Sequence, residues 1–166
     1  MRAMNRVRSL ALTATLPLPL AAAAEPQNND RALEGVESGD VIWDITLSKP
    51  AQLAGQMKVV RETYHDLKEN GIEPRMVLAF HGRNVHFLTE DLESVPMEEL
   101  DQVEEFNENL DKLLALDGVR AEACAIATRV YGAENDNIRD EVDVVGNTYV
   151  SNIGYTQKGY SIIGIR

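Results

Sequence analysis

Short apolar segments alternate with amphipathic ones from residue 41 onward, and this alternation restricts the fold more than any other feature. Val41-Ile42-Trp43-Asp44-Ile45-Thr46-Leu47 is short, rich in β-branched residues and bounded by Gly39 and Pro50, which predicts a strand. Between Pro50 and Asn70, the residues Leu53, Met57, Val60, Tyr64 and Leu67 recur at steps of three and four and so share one stripe of a helix. Ser48 suits the cap of that helix, Pro50 its first turn and Gly71 its end. Arg75 to Phe80 is continuously apolar after its first residue, as in a strand buried on both faces, and it stops at His81-Gly82. A second helix is predicted over Pro96 to Asp117, with Leu100, Val103, Phe106, Leu110, Leu113 and Leu114 as its apolar stripe. Acids line its other face and enrich its first turn, which suits the helix dipole. Then follow a strand over Val119–Ala123, a short helix over Cys124–Gly132, a strand over Val142–Gly146, a helix over Thr148–Lys158 and a strand over Tyr160–Ile165. This order predicts an α/β protein, three layers deep (α/β/α), around a mainly parallel five-stranded sheet. In such sheets, ligands and reactive groups sit beyond the carboxyl ends of the strands. Two such ends carry chemistry: His81-Gly82-Arg83-Asn84, and Cys124.

The first 40 residues follow a different logic. Residues 1–24 contain Arg2, Arg6 and Arg8, no acid, a largely apolar stretch from Leu10 and an exit at Ala22-x-Ala24. These are the three parts of a secretory signal, cleaved near Ala24, and they predict a periplasmic or secreted protein. Pro17 and Pro19 interrupt the apolar region, so an amphipathic or disordered tail is the alternative, and the stretch falls short of the ~18 apolar residues a spanning helix needs. No stable membrane insertion is expected. Residues 25–40 are polar and broken by Gly35, Ser38 and Gly39, which predicts a flexible tether before a single domain over 41–166. With 16 Lys and Arg against 27 Asp and Glu, the net charge is −11, which repels phosphate backbones and excludes non-specific nucleic-acid binding.

The single cysteine excludes an internal disulfide framework and leaves Cys124 as the main chemical candidate. If the preceding strand ends near Ala123, Cys124 opens the next helix, whose N-terminus stabilises a thiolate. Arg83 and Arg129 would add to this where the fold brings them close. The competing reading makes Cys124 a small apolar filler, since free cysteine is among the most buried residue types. His81 could donate a proton to Cys124. The blander expectation for His81 and His86 is a loop position with satisfied hydrogen bonds, and for His65 the solvated side of its helix. A zinc site from Cys124, His81 and His86 has no spacing to support it, and neither a metal nor a cofactor is expected. The order Gly146, Gly154, Gly159 matches no phosphate-loop or dinucleotide fingerprint.

Three stretches carry a resemblance. They are Val77-Leu78-Ala79-Phe80-His81-Gly82-Arg83-Asn84-Val85-His86-Phe87-Leu88, Leu113-Leu114-Ala115-Leu116-Asp117-Gly118-Val119-Arg120-Ala121-Glu122-Ala123-Cys124, and Val142–Gly146 through Gly159-Tyr160-Ser161-Ile162-Ile163. In order and spacing, from Val41 to Arg166, they resemble the DsrE/DsrF-like sulfur-relay family with its YchN-like α/β fold. The resemblance implies a homo-oligomer, a trimer or hexamer, and a cysteine that accepts sulfane sulfur as a persulfide from a sulfur-donor protein. On that basis Cys124 would take the sulfur; His81, Arg83 and Arg129 are the substrate-binding candidates, by their place near the strand ends. The sequence departs from many relatives just after the cysteine, where Ala125-Ile126-Ala127 replaces a polar Gly-Asn-Thr-like turn. That substitution should make the pocket more apolar and push the thiol up. Two functions follow: a sulfurtransferase-like carrier, or a non-catalytic exported oligomeric binding protein with Cys124 in its core.

Overall fold

The computed structural model of the protein describes residues 28–166, so the leader expected over 1–24 lies outside the described residues. The chain divides into two units, Met1–Glu34 and Gly35–Arg166. The described part of the first unit holds one helical turn, α1 (Asp30–Leu33), with no buried residue. The second unit runs β1 (Ser38–Ile45), α2 (Pro50–Glu69), β2 (Glu73–Phe80), α3 (Leu100–Leu114), β3 (Val119–Cys124), α4 (Ala125–Tyr131), β4 (Val142–Val145), α5 (Thr148–Thr156) and β5 (Ser161–Ile165). Short 3₁₀ turns at Arg83–Leu88, Met97–Glu99 and Asn135–Asn137 fill the connections.

All strand pairs are parallel and the sheet order is β4-β3-β2-β1-β5. Side chains alternate across such a sheet, so each strand serves two layers. Val41, Trp43, Ile45, Met76, Leu78, Phe80, Ala121 and Ala123 join the main core beneath α2 and α3. That core also holds Leu53, Met57, Val60 and Tyr64 of α2, with Val103, Phe106, Leu110 and Leu113 of α3. All of these belong to the two predicted apolar stripes, whose remaining members Leu67, Leu100 and Leu114 pack against the core half-buried. Phe80 and Phe106, both fully buried, meet edge to face with centroids 5.8 Å apart. Each such ring contributes about 1.5–3 kcal/mol by leaving water. The alternate residues Asp44 and Glu122 point to the opposite face, where Asn152 and Tyr155 of α5 hydrogen-bond to them. Helix α5 is therefore the third layer, and the predicted α/β/α arrangement with an all-parallel five-stranded sheet is the observed one.

Two glycines explain local departures from expectation. Within the stretch expected as a tether, residues 38–40 already belong to β1, and Gly39 pairs with Pro74. A Cβ on Gly39 would come within 2.8 Å of Leu67 Cδ1, so the missing side chain lets α2 close on the strand. The second helix is shorter than expected, because the chain leaves α3 at Leu114 and turns through Gly118 into β3. Gly118 has φ +78°, and a Cβ there would meet Pro74 O at 2.7 Å.

Candidate functional site

Because all five strands are parallel, their carboxyl ends lie along one edge of the sheet. Every end contributes a polar side chain: Asp44 from β1, His81 just past β2, Cys124 closing β3, Thr148 past β4 and Arg166 past β5. Cys124 is both the last residue of β3 and the cap position of α4, with extended φ −79° and ψ 116°. Asn147 caps α5 by accepting the Tyr149 N–H at 2.9 Å, which sets Thr148 as the first helical residue. Cys124, Thr148, Asn147, Tyr149, His81 and Gly82 line an open cleft of about 260 Å³, closed on the other side by Ile126, Ala127, Val130 and Tyr131 of α4.

Cys124 is 4% exposed and packs in a small apolar cluster with Val85, Ala127 and Ala133. Burial pushes its thiol up, as the apolar sequence after it leads one to expect. The backbone N–H of Thr148, that of Ala127, the Thr148 hydroxyl and the N–H of Ile126 outweigh burial, and the thiol is held below its ordinary value. Thr148 Oγ1 is buried and makes no hydrogen bond among the described residues, so it is free to turn to the sulfur when the thiolate forms. The expected upward push is thus present and overcome.

The second feature of the cleft is a buried charge network. His81 Nε2 lies 2.7 Å from Asp44 Oδ1, with both side chains more than nine-tenths buried. Asn152 Nδ2 donates to the same oxygen at 3.0 Å. Arg166 donates to Asp44 Oδ2 at 2.5 Å and to the Asp44 carbonyl at 2.8 Å. Burial raises the Asp44 carboxyl, but Arg166, Asn152 and His81 outweigh it and hold it below the usual carboxylate range. The His81 ring also meets the Tyr149 ring edge to face at 5.0 Å. A buried carboxylate, a histidine it orients and a cysteine on the same cleft wall are the parts from which a proton-coupled nucleophile is built.

The other candidates lie apart from this cleft. Arg83 is exposed and does not line it. Arg129 lines a neighbouring depression of about 530 Å³ with Glu134 and Asp136. His86 is half-buried, and its Nδ1 lacks the hydrogen bond expected of it, while His65 is exposed as expected. Among the described residues, no three His, Cys, Asp or Glu side chains converge as metal ligands, and no helix is long and apolar enough to cross a membrane. Sequence reasoning missed Asp44, Thr148, Asn152 and Arg166. A charge inside an otherwise apolar strand was the available signal for Asp44. Large apolar side chains of α4 and α5 stand in solvent: Val130 is 67% exposed and Tyr149 60%, both on the cleft, and Val150 and Ile153, further along α5, 65% each.

Comparison with known proteins bears on this site. The sequence profile of the DsrE/DsrF-like family matches residues 46–164. No curated protein matches the sequence. Among solved structures, the fold is similar to that titled "Structure of Protein of Unknown Function MTH1491 from Methanobacterium thermoautotrophicum". The TM-score is 0.60 at 20% identity, and the match covers 77% of this chain and 100% of that one.

Proposed function

Because the chain belongs to the DsrE/DsrF-like family, we propose that it is a sulfur carrier whose Cys124 accepts sulfane sulfur as a persulfide and passes it on. The observation that carries this reading is the Cys124 environment. A thiol on an open cleft sits at the N-terminal cap of α4 and shares the cleft lining with Thr148, whose buried hydroxyl makes no hydrogen bond among the described residues, and the neighbouring N–H groups hold the thiol below its ordinary value. These donors favour the thiolate, which is the form that attacks sulfur. Cys124 Sγ bonds to the outer sulfur of a donor persulfide, R–S–SH, and the S–S bond of the donor breaks, releasing R–S⁻. The thiol proton of Cys124 goes to His81 and from there to the departing R–S⁻. The products are the Cys124 persulfide and R–SH, with no net oxidation. Arg83 and Arg129 stand outside the cleft and would meet a donor, if at all, at its periphery.

The exposed Val130, Tyr149, Val150 and Ile153 support a homo-oligomer built around the cleft, as a trimer or hexamer. Export as a periplasmic or secreted protein, after cleavage near Ala24, is part of the same proposal. The apolar cluster around Cys124 favours a second reading, a binding protein with the cysteine as filler. Incubation with a small organic persulfide followed by intact-mass analysis separates the two. The carrier gains one sulfur atom that is absent in Cys124→Ser, whereas no gain, or an equal gain in Cys124→Ser, overturns the carrier reading.

A further inference from the structure

We propose that Asp44 is a positioning residue for proton transfer at Cys124, acting through His81. The inference rests on the sulfur-carrier reading and assigns the residue that sets the proton partner. Asp44 receives Nε2 of the His81 ring at 2.7 Å, and a carboxylate accepts but does not donate. The ring proton therefore sits on Nε2. Nδ1 carries no hydrogen bond among the described residues and keeps its lone pair on a ring that forms part of the cleft wall with Cys124. When Nδ1 takes the cysteine proton, the Asp44 carboxylate faces the cation that results and stabilises it. Arg166 and Asn152 hold Asp44 in turn, so the ring has one orientation and one tautomer.

The charged and titratable groups around His81 are few. Asp44 contacts it from β1 and Tyr149 from α5, Cys124 of β3 and Tyr131 of α4 line the same cleft, and Arg166 acts on it through Asp44. Glu122, the other carboxylate on this face of the sheet, is engaged by Tyr155 Oη at 2.7 Å. This makes the role of Asp44 separable by sign. Acting directly on the sulfur, a negative Asp44 would hold the thiol up, so Asp44→Asn would lower the midpoint of cysteine ionisation. Acting through His81, Asp44 supports the imidazolium that pairs with the thiolate, so Asp44→Asn raises the midpoint.

The test is the pH profile of Cys124 alkylation by iodoacetamide in the full-length protein and in Asp44→Asn, His81→Gln and the double variant. The expected result is an upward shift of about one pH unit in Asp44→Asn. His81→Gln should shift the same way, and the double variant no further than His81→Gln alone. Persulfide transfer from a small organic donor should slow ~100-fold in Asp44→Asn at neutral pH. Should Asp44→Asn fail to fold, His81→Gln carries the test alone, because its amide can still donate to Asp44 while the imidazolium is lost. A downward or absent shift in His81→Gln, a downward shift in Asp44→Asn, or a further shift in the double variant overturns the proposal. Alkylation reads the Asp44–His81–Cys124 coupling even in a protein that takes no sulfur, so failure of the carrier reading remains distinguishable.

Discussion

Thr148→Val is the sharpest test of how the thiol is held. The substitution replaces a hydroxyl with a methyl of nearly the same shape at a residue 1% exposed. Because Oγ1 makes no hydrogen bond among the described residues, the change removes an unsatisfied buried polar atom, and the melting temperature below the thiol midpoint should hold or rise slightly. At the sulfur the effect is opposite. A hydrogen bond to a charged acceptor contributes about 1.5 kcal/mol at the low end, which is the end suited to sulfur, and that corresponds to about one pH unit. Below the midpoint the thiolate fraction then falls ~10-fold. A more basic thiolate is also a better nucleophile, by roughly threefold for a Brønsted coefficient near 0.5, so the net alkylation rate falls only ~3-fold. The profile midpoint is therefore the better readout, and it should move up by about one unit. Iodoacetamide alkylation followed by mass spectrometry across pH, with thermal unfolding in parallel, measures both. An unchanged or lower midpoint with an unchanged melting temperature would refute the claim that this hydroxyl serves the sulfur.

Two further predictions concern the fold. Gly118→Ala should lose well over 1 kcal/mol in urea unfolding, because it combines φ +78° with a 2.7 Å approach to Pro74 O, whereas Gly132→Ala meets no atom within 4 Å and should lose only the smaller left-handed strain. Burial, and after it the Glu122 carboxylate, raise the Tyr155 hydroxyl to about 12. Its folded value is above its unfolded value of 10.0, so the stability it contributes is full below pH 10.0 and is lost as pH rises toward about 12. Tyr155→Phe should flatten the alkaline limb of stability against pH and, by stranding Glu122, cost about 1–3 kcal/mol at neutral pH. An unchanged alkaline limb in that variant would contradict the assignment.

The layers of this fold were legible because hydrophobic period and layer correspond directly. The stripes of α2 and α3 gave the helices and also the face that meets the sheet, and continuous apolar strands implied burial on both sides. The boundaries missed were those set by neighbours: Gly39 reads as a breaker until Leu67 is seen to need its space. The site was legible only in part for a similar reason. Cys124 and His81 announce themselves as residue types at strand ends. Thr148 and Arg166 are common residues whose roles come from where the sheet order delivers them. Arg83 drew attention because it follows His81 in the chain, but it faces solvent, while Asp44, 37 residues before His81, is the group that touches it.

That distance along the chain has a consequence for how the protein acquires its reactivity. The contacts that define the Asp44 network join residues 37, 108 and 122 positions apart, and the last of them needs the final residue of β5's exit. No early folding fragment can hold the finished arrangement, because closing such loops is the slow, late part of assembling a parallel sheet. A partly folded chain would carry an ordinary, unassisted thiol, and the sulfur becomes special only once both edges of the sheet are in place. Chemical behaviour at this one atom is thus a built-in report on whether the five-stranded sheet has been completed.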